Sequence, residues 1–127
     1  IHSGSAMCPI FIPTVCSFYR GMTIQISLFS SEVNGHQAKD VYDCLRNRYE
    51  NERFIKVIPF GSSQPFTDDF LNPLGCNETN DMELMVFGNS EQLHLIARYD
   101  NLVKGAAGSA IQNLNIMLGR DENTGLI

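Results

Sequence analysis

The sequence has few basic residues, no long hydrophobic run and none of the common nucleotide-binding motifs. Lysine and arginine number 9 against 14 aspartates and glutamates, and no window concentrates them. Because a domain that binds duplex nucleic acid normally carries a basic stripe, nucleic acid and anionic membrane surfaces are not expected partners. The longest apolar runs, such as residues 9–15, are far too short to cross a bilayer.

The cysteines form no metal-binding or disulfide pattern. They are Cys8, Cys16, Cys44 and Cys76, with no Cys-x-x-Cys pair and no histidine at zinc-ligand spacing. A chain of 127 residues can bury a core without disulfides, so reduced thiols are expected. This expectation assigns no metal and places the protein in the cytoplasm, or in an organellar matrix if the source is eukaryotic.

Glycine-rich phosphate-binding motifs are missing as well. No Gly-x-Gly-x-x-Gly follows a strand pattern, and no Walker motif occurs. The chain opens on Ile1 without an initiator methionine or a signal-peptide pattern. We therefore expect residues 1–127 to be one domain of a processed or longer protein, with a polar tail at 119–127. We also expect that this domain cannot hold a nucleotide alone.

The hydrophobic periodicity predicts an α+β domain with a mixed, largely antiparallel sheet and helices packed on one face. A period of two over residues 22–28 indicates a strand with Met22, Ile24, Ile26 and Leu28 on a buried face. Helical spacing predicts helices at 38–49 and 105–118. The other predicted elements are an edge strand at 9–15, strands at 54–60, 82–87 and 94–100, a hairpin turn at 88–90 and a long loop at 61–81.

Local signals add finer predictions. Asn34 and Gln37 resemble a capping box for the first helix, and Gly119 is placed to end the second. Glu83 and Arg98 are expected to pair across the sheet. Cys44 is expected to be half-buried and Cys76 to lie in a loop, whereas the three histidines are expected at the surface or at edges.

The segment Asp-Asn-Leu-Val-Lys-Gly-Ala-Ala-Gly-Ser, residues 100–109, departs from what stability alone favours. Lys104 at a helix start faces the positive end of the helix dipole. Gly105 and Gly108 each weaken a helix by about 1 kcal/mol relative to alanine. Free amides, an ammonium and missing side chains would suit an anionic or carbonyl-bearing ligand. Close helix packing is the alternative, and the two are compatible, since Gly108 could pack while Lys104 binds.

Arg20, followed by Gly21, is a second candidate. A guanidinium at a strand mouth can offer a planar fork to a phosphate or carboxylate. The alternative is a solvated arginine in a turn.

Residues 99–119, Tyr-Asp-Asn-Leu-Val-Lys-Gly-Ala-Ala-Gly-Ser-Ala-Ile-Gln-Asn-Leu-Asn-Ile-Met-Leu-Gly, resemble the C-terminal signature of the N-acetyl-γ-glutamyl-phosphate reductases of arginine biosynthesis. Residues 9–15 with Arg20-Gly21-Met22, and residues 80–89, resemble two further stretches of that family. The resemblance covers residues 9–119 in order. It implies that the chain is the substrate and dimerisation domain of an NADP-dependent oxidoreductase, which would form a homo-oligomer.

The resemblance also implies roles for individual residues. Arg20 and Lys104 would contact an acyl-phosphate substrate, and Asn101, Gly105 and Ala106 would contact the cofactor. A Rossmann domain of the same enzyme, absent from this chain, would hold most of the NADP. No residue matches the family's nucleophilic cysteine or catalytic histidine, so no catalytic residue is assigned and the chain alone is expected to be inactive.

A second hypothesis remains open from the residues alone. The chain could be a non-catalytic α+β module that binds a small anionic metabolite or a protein partner.

Overall fold

The computed structural model describes residues 10–127, which contain a mixed four-stranded sheet and a small two-stranded one. The strands are β1 (Met22–Phe29), β2 (Ile55–Val57), β3 (Phe66–Thr67), β4 (Phe70–Leu71), β5 (Met82–Gly88) and β6 (Gln92–Tyr99). The helices are α1 (Ala38–Tyr49) and α2 (Gly108–Met117), each preceded by a short turn, 3-10 at Ser30–Val33 and π at Val103–Ala107. The main sheet has the order β1-β6-β5-β2, in which β2 and β5 are parallel and the other pairs antiparallel. The predicted α+β class with a mixed, largely antiparallel sheet is confirmed.

The core lies on both faces of β5 and β6, since alternate residues of a strand point to opposite sides. Helix α1 packs on one face, where it buries Ala38 with Val86 and Leu93. A second cluster, formed by Ile58, Met85 and Ile96, fills the other face with Leu71 and Phe87 against it. The two central strands are therefore the rigid frame from which the chain segments at their ends are positioned.

The long loop predicted at 61–81 contains a hairpin. Strands β3 and β4 pair across Asp68 and Asp69, whose φ angles of +49° and +63° are those of a tight turn that matches strand twist. Phe66 of this hairpin meets Phe87 of β5 edge-on, with ring centres 5.5 Å apart. The prediction of a loop was wrong here because two residue pairs are too short a strand for periodicity to reveal.

The edge strand predicted at 9–15 is also wrong for residues 10–15, which form no strand; Pro9 lies outside the described residues. Pro13 cannot donate to a sheet, and Ile10 and Val15 are 90% and 96% exposed, so nothing rewards an extended pairing there.

Strand β1 forms where expected, but most of its apolar face is open. Met22, Ile24 and Ile26 are 39%, 46% and 48% exposed. They share the face of the sheet on which α1 packs, but α1 covers β2, β5 and the near part of β6, while β1 is the edge strand. The period of two predicted the strand correctly. The expected burial is wrong for Met22, Ile24 and Ile26, whereas Leu28, the fourth residue of this face, is partly buried against the cluster beneath α1.

The ends of the helices differ in part from expectation. Asn34 ends the 3-10 turn with φ +56° and does not cap α1, so the predicted capping box is wrong. Instead the Asp40 carboxylate accepts from the Gln37 N–H at 2.9 Å. Helix α2 begins at Gly108 instead of residue 105, because residues 103–107 form the π turn. Gly119 follows α2 with φ +66°, as predicted.

The predicted cross-strand pair is confirmed. Glu83 lies opposite Arg98 in the β5–β6 register and accepts from its Nε at 2.9 Å. The same guanidinium donates to the carbonyl oxygens of Pro65 at 3.2 Å and Asn72 at 2.6 Å. Arg98 thus ties the β3–β4 hairpin to the sheet.

The cysteine predictions fare less well. Cys44 is exposed, not half-buried, because the apolar stripe of α1 passes beside it. Cys76 is in its loop but buried, and this burial raises the pKa of its thiol, which is the opposite of an activated nucleophile. Cys16 is exposed, whereas Cys8 and His2 lie outside the described residues.

The polar tail expected at 119–127 is folded onto the domain. The Asn115 side chain, 6% exposed, donates to the carbonyl oxygens of Glu122 at 3.2 Å and Thr124 at 2.9 Å. The Asn80 N–H donates to the Ile127 carbonyl at 2.7 Å.

Among residues 10–127, no helix is long and apolar enough to span a membrane.

Gly108 is needed for close packing at the start of α2. A Cβ at this position would lie 2.3 Å from Asn80 Oδ1 and 2.8 Å from the Val103 carbonyl oxygen. Asn80 is fully buried and its Oδ1 has no hydrogen-bond partner among the described residues, so it rests against the Gly108 backbone. The packing alternative for this glycine is therefore supported.

We expect Gly108→Ala to lower the free energy of unfolding by about 1–3 kcal/mol, because the methyl group overpacks the Asn80 contact. Asn113→Ala, at an exposed position of the same helix, is the control and should change it by less than about 0.5 kcal/mol. Urea unfolding followed by circular dichroism measures both. Equal stability of the two variants would contradict the packing role.

Candidate functional site

A buried carboxylate stands at the end of β6. Asp100 is 0% exposed. Its Oδ1 accepts from the N–H groups of Leu102 at 2.8 Å and Val103 at 3.1 Å, and its Oδ2 accepts from the Glu78 N–H at 2.8 Å. The Arg20 guanidinium lies 3.7 Å from Oδ2. Burial alone would raise the pKa of Asp100, but the three N–H donors and Arg20 outweigh it and hold the pKa below its usual value.

The neighbouring Asn101 reaches back to the start of β1. Its Oδ1 accepts from the Gly21 N–H at 2.8 Å, a contact across 80 residues of sequence. On the other side, Asn77 Nδ2 donates to the Arg20 carbonyl oxygen at 3.2 Å. The peptide that joins Arg20 to Gly21 is thereby held from two directions.

Only glycine fits at position 21. Its φ is +111°, a region that side chains rarely adopt, and a Cβ would lie 2.9 Å from Leu74 Cδ2 and 3.1 Å from the Pro73 carbonyl oxygen. The glycine that follows Arg20 is therefore required for a local steric reason.

Two neighbouring clefts open around this point. Asn101 lines the larger, of about 730 Å³, together with Gly21, Met22 and residues of the 12–19 segment. Arg20 lines the smaller, of about 320 Å³, with Asn77 and Glu78. Phe18 and Tyr19 line both. The structure thus brings two of the predicted ligand residues, Arg20 and Asn101, to adjoining openings.

Within residues 10–127, both side chains retain donors that have no close hydrogen-bond partner. Asn101 Nδ2 has no hydrogen-bond partner among residues 10–127. The Arg20 Nη1 lies 3.5 Å from Glu78 Oε1 and 3.7 Å from Asp100 Oδ2, so these are ion pairs without close hydrogen bonds. An anion at Arg20 would have to compete with two carboxylates, of which the Glu78 side chain is 79% exposed and free to move aside.

Lys104 lies away from both clefts. Its Nζ donates to Gln112 Oε1 at 2.9 Å and stands 5.4 Å from the centre of the Phe54 ring. Partial burial lowers the pKa of Lys104, although the nearby carboxylates of Glu122, Asp81 and Glu52 oppose that shift. The structure therefore does not bring Lys104 to the cleft of Arg20, the other residue expected to contact the substrate.

The expectation of free amides in this segment is wrong. The Gly105 N–H donates to the Asp100 carbonyl at 2.9 Å, and the Ala107 N–H to that of Leu102 at 3.3 Å. The Gly108 N–H bonds to the Val103 carbonyl. The π turn consumes these donors, since each of its amides reaches five residues back. Gly105 and Ala106 nevertheless remain exposed, so a ligand could approach the Cα of Gly105 and the Cβ of Ala106.

Sequence reasoning missed Asp100 and Asn77. An aspartate two and three residues before unpaired amides is a common side-chain cap of a turn, and this signal was available for Asp100. Asn77 acts on a residue 57 positions away, and no local pattern reveals that. Among residues 10–127, no group of three or more His, Cys, Asp or Glu side chains could hold a metal ion.

The depressed pKa of Asp100 predicts a loss of stability in acid. Because the pKa is lower in the folded state, its contribution is complete above the unfolded pKa of about 3.9 and disappears as the pH falls through the folded value. We expect the free energy of unfolding to drop as the pH falls from about 5 to below 3, and to drop less in Asp100→Asn. Glu91→Gln, at an exposed turn, is the control; a drop in Asp100→Asn as large as in the unaltered chain would contradict the assignment.

Comparison with known proteins agrees with this fold. Residues 2–101 match the family model described as the dimerisation domain of semialdehyde dehydrogenase. The "N-acetyl-gamma-glutamyl-phosphate reductase 2" of Nostoc sp. is 42% identical, over 98% of this chain and 40% of the relative. Reductases of the same name from Trichormus variabilis and Burkholderia lata are 40% and 38% identical, over 98% and 94% of this chain.

These relatives bear the name of the enzymes that the sequence resembles, and so confirm the resemblance. The chain spans about 40% of the length of the curated relatives it matches. The family model covers most of the chain, including β1 to β6 and ending at Asn101. The chain therefore belongs to the family of semialdehyde dehydrogenase dimerisation domains.

Proposed function

We propose that this chain is the substrate-binding and dimerisation domain of a reductase that uses NADPH to convert N-acetyl-γ-glutamyl phosphate to N-acetylglutamate semialdehyde in arginine biosynthesis. The names of the relatives support the reaction, and the link between Arg20-Gly21 and Asn101 is the observation that carries the site. A cytoplasmic or organellar-matrix location belongs to the same proposal.

The substrate side of the proposal rests on Arg20 and Lys104. An acyl phosphate carries a phosphate and a carboxylate, and a guanidinium fork suits either group. Arg20 lines the smaller cleft, and among residues 10–127 its side chain makes ion pairs but no close hydrogen bond. Lys104 would first have to leave Gln112, so its part in binding requires a rotation of the side chain.

The cofactor side rests on Asn101, Gly105 and Ala106. NADPH, when bound mainly by a Rossmann domain elsewhere in the protein, supplies the hydride that reduces the acyl group. The Asn101 Nδ2, which has no partner among residues 10–127, could donate to an oxygen of the cofactor, and the small exposed Gly105 and Ala106 would let the cofactor approach closely. These residues would orient the cofactor and exclude water from it. No nucleophile and no proton-transferring group is assigned to this chain.

We expect three variants of the full-length protein to separate these roles. Asn101→Ala should lower kcat/KM by about tenfold or more, since a misplaced reacting group costs up to about a hundredfold. Arg20→Gln should mainly raise KM for the acyl phosphate. Lys104→Met, which keeps the contact with Phe54, should raise that KM if the lysine binds substrate and leave it unchanged if the lysine only supports the fold.

The assay follows NADPH oxidation with N-acetyl-γ-glutamyl phosphate, or the reverse reaction with semialdehyde and phosphate. Lys39→Ala, on the exposed side of α1, is the control. Unchanged kinetics in both Asn101→Ala and Arg20→Gln would contradict the site, and no turnover by the unaltered full-length protein would contradict the reaction.

The alternative of a non-catalytic module is tested on the 127-residue chain itself. Isothermal titration with NADPH should give no tight binding if a Rossmann domain supplies most of the nucleotide contacts. Tight binding of NADPH or of an N-acylamino acid by the chain alone would favour a binding module instead.

Open apolar surfaces support a homo-oligomer and contact with a Rossmann domain. Met22, Ile24 and Ile26 are partly exposed along β1, and Leu114 and Met117 of α2 are 53% and 83% exposed. Contiguous exposed apolar surface of this kind marks protein contacts. We propose that one of these two surfaces, on β1 or on α2, contacts a second subunit and that the other contacts the remainder of the same enzyme.

We expect the chain to sediment as a species larger than a monomer, and Ile26→Glu to shift it toward the monomer because the buried carboxylate would be unpaired. Thr23→Glu, on the opposite face of β1, is the control. A monomer at every concentration of the unaltered chain would contradict the oligomer.

A further inference from the structure

We infer that Asp100 is a positioning residue: its buried carboxylate sets Arg20 and Asn101 in their places at the two adjoining clefts. The inference deepens the proposed function and rests on it for the kinetic consequence, whereas the structural part stands on this chain alone. Asp100 touches neither cleft, so it acts only through the residues that do.

The carboxylate joins three separate segments of chain. Oδ1 fixes the backbone of Leu102 and Val103, immediately after Asn101. Oδ2 fixes the Glu78 amide and faces the Arg20 guanidinium. Glu78 and Arg20 both line the smaller cleft. One side chain therefore determines the turn that carries Asn101 and the wall that carries Arg20.

The position of the Asn101 side chain follows from this turn. Its backbone is held on both sides, by the end of β6 before it and by the two amides bound to Asp100 Oδ1 after it. As a result, the Asn101 carboxamide oxygen accepts from the Gly21 N–H at 2.8 Å, and its amide nitrogen has no partner among residues 10–127. If the turn loosens, the contact with Gly21 is the first long-range link to weaken.

The pair of Glu83 and Arg98 shows what a purely structural ion pair looks like in this sheet. Glu83 is 17% exposed at the side chain, and its partner Arg98 ties down the β3–β4 hairpin. Neither residue lines a cleft. Glu83→Gln is thus a matched control for Asp100→Asn, since both replace a largely buried carboxylate by its isosteric amide.

The first test measures amide hydrogen exchange in the 127-residue chain by NMR. Asp100→Asn keeps one acceptor oxygen but presents an NH₂ to the Glu78 N–H and to Arg20, so that donors face donors. We expect exchange of the Gly21 amide, relative to that of Ile96 in the centre of β6, to become about five- to tenfold faster. In Glu83→Gln the same ratio should stay within about twofold.

The second test measures steady-state kinetics of the full-length protein. Asp100→Asn should lower kcat/KM by about tenfold or more, with KM for the acyl phosphate raised through Arg20 and kcat lowered through Asn101. Glu83→Gln, assayed well below its melting temperature, should change neither by more than about twofold. If Asp100→Asn fails to fold, the double variant Arg20→Gln/Asp100→Asn removes both charges of the ion pair. In that variant the exchange rate of the Gly21 amide relative to that of Ile96 should still rise.

The outcomes are separable. An unchanged Gly21 ratio in the Asp100 variants overturns the inference, as does a raised ratio with unaltered kinetics in an active enzyme. An unaltered full-length protein without reductase activity overturns the proposed function, and in that case the Gly21 ratio alone decides whether Asp100 sets the cleft residues.

Discussion

The buried carboxylate of Asp100 is the constraint on which the geometry of the candidate site depends. An isolated charge in the interior would cost many kcal/mol, and a protein keeps one only where donors replace the lost water. Here three backbone amides donate hydrogen bonds and the Arg20 guanidinium adds an ion pair at 3.7 Å. Because these groups come from the turn after Asp100 and from two segments farther away in sequence, satisfying the charge brings the three segments together, and the clefts lie where they meet. Stability and the arrangement of the site are thus two results of one interaction.

The sheet gives this interaction a fixed base. Strand β6 lies between β1 and β5, so Asp100 emerges from a central strand, whereas Gly21 leads into the edge strand β1. The Gly21–Asn101 contact therefore extends the β1–β6 pairing by one further link beyond Met22 and Tyr99. A site at the end of a strand pair inherits the register of the sheet, which keeps it more precise than a site built on a free loop.

The sequence predicted regular elements well and their surroundings less well. The period of two at β1, the spacing of α1 and the charges of Glu83 and Arg98 are local patterns, and each led to a correct element or contact. The apolar face of β1 was expected to be buried, but periodicity reveals a face and not its covering. The hairpin at Asp68 was not predicted because its strands have only two residues each. The docking of the tail through Asn115 was not predicted because it depends on side-chain contacts with irregular backbone.

The same limit applies to the site. Arg20 and Asn101 were selected by residue type and resemblance, and the structure brings them to adjoining clefts. Lys104 was selected because it stands at a predicted helix start beside glycines and matches the resemblance, but in the structure it is part of the π turn and its side chain lies against Phe54 and Gln112, away from Asn101. Sequence distance is a good guide to spatial distance only when the backbone conformation between two residues is known.

The π turn at Val103–Ala107 has one residue more than an α-helical path over the same bonds would need. Each residue of an α-helix turns the chain by about 100°, so this one residue sets the direction in which the whole of α2 faces. A relative with a deletion here would present Leu114 and Met117 to a different neighbour while its sheet stayed the same. The length of this segment is thus a simple means by which evolution could redirect the assembly of the protein without touching its core.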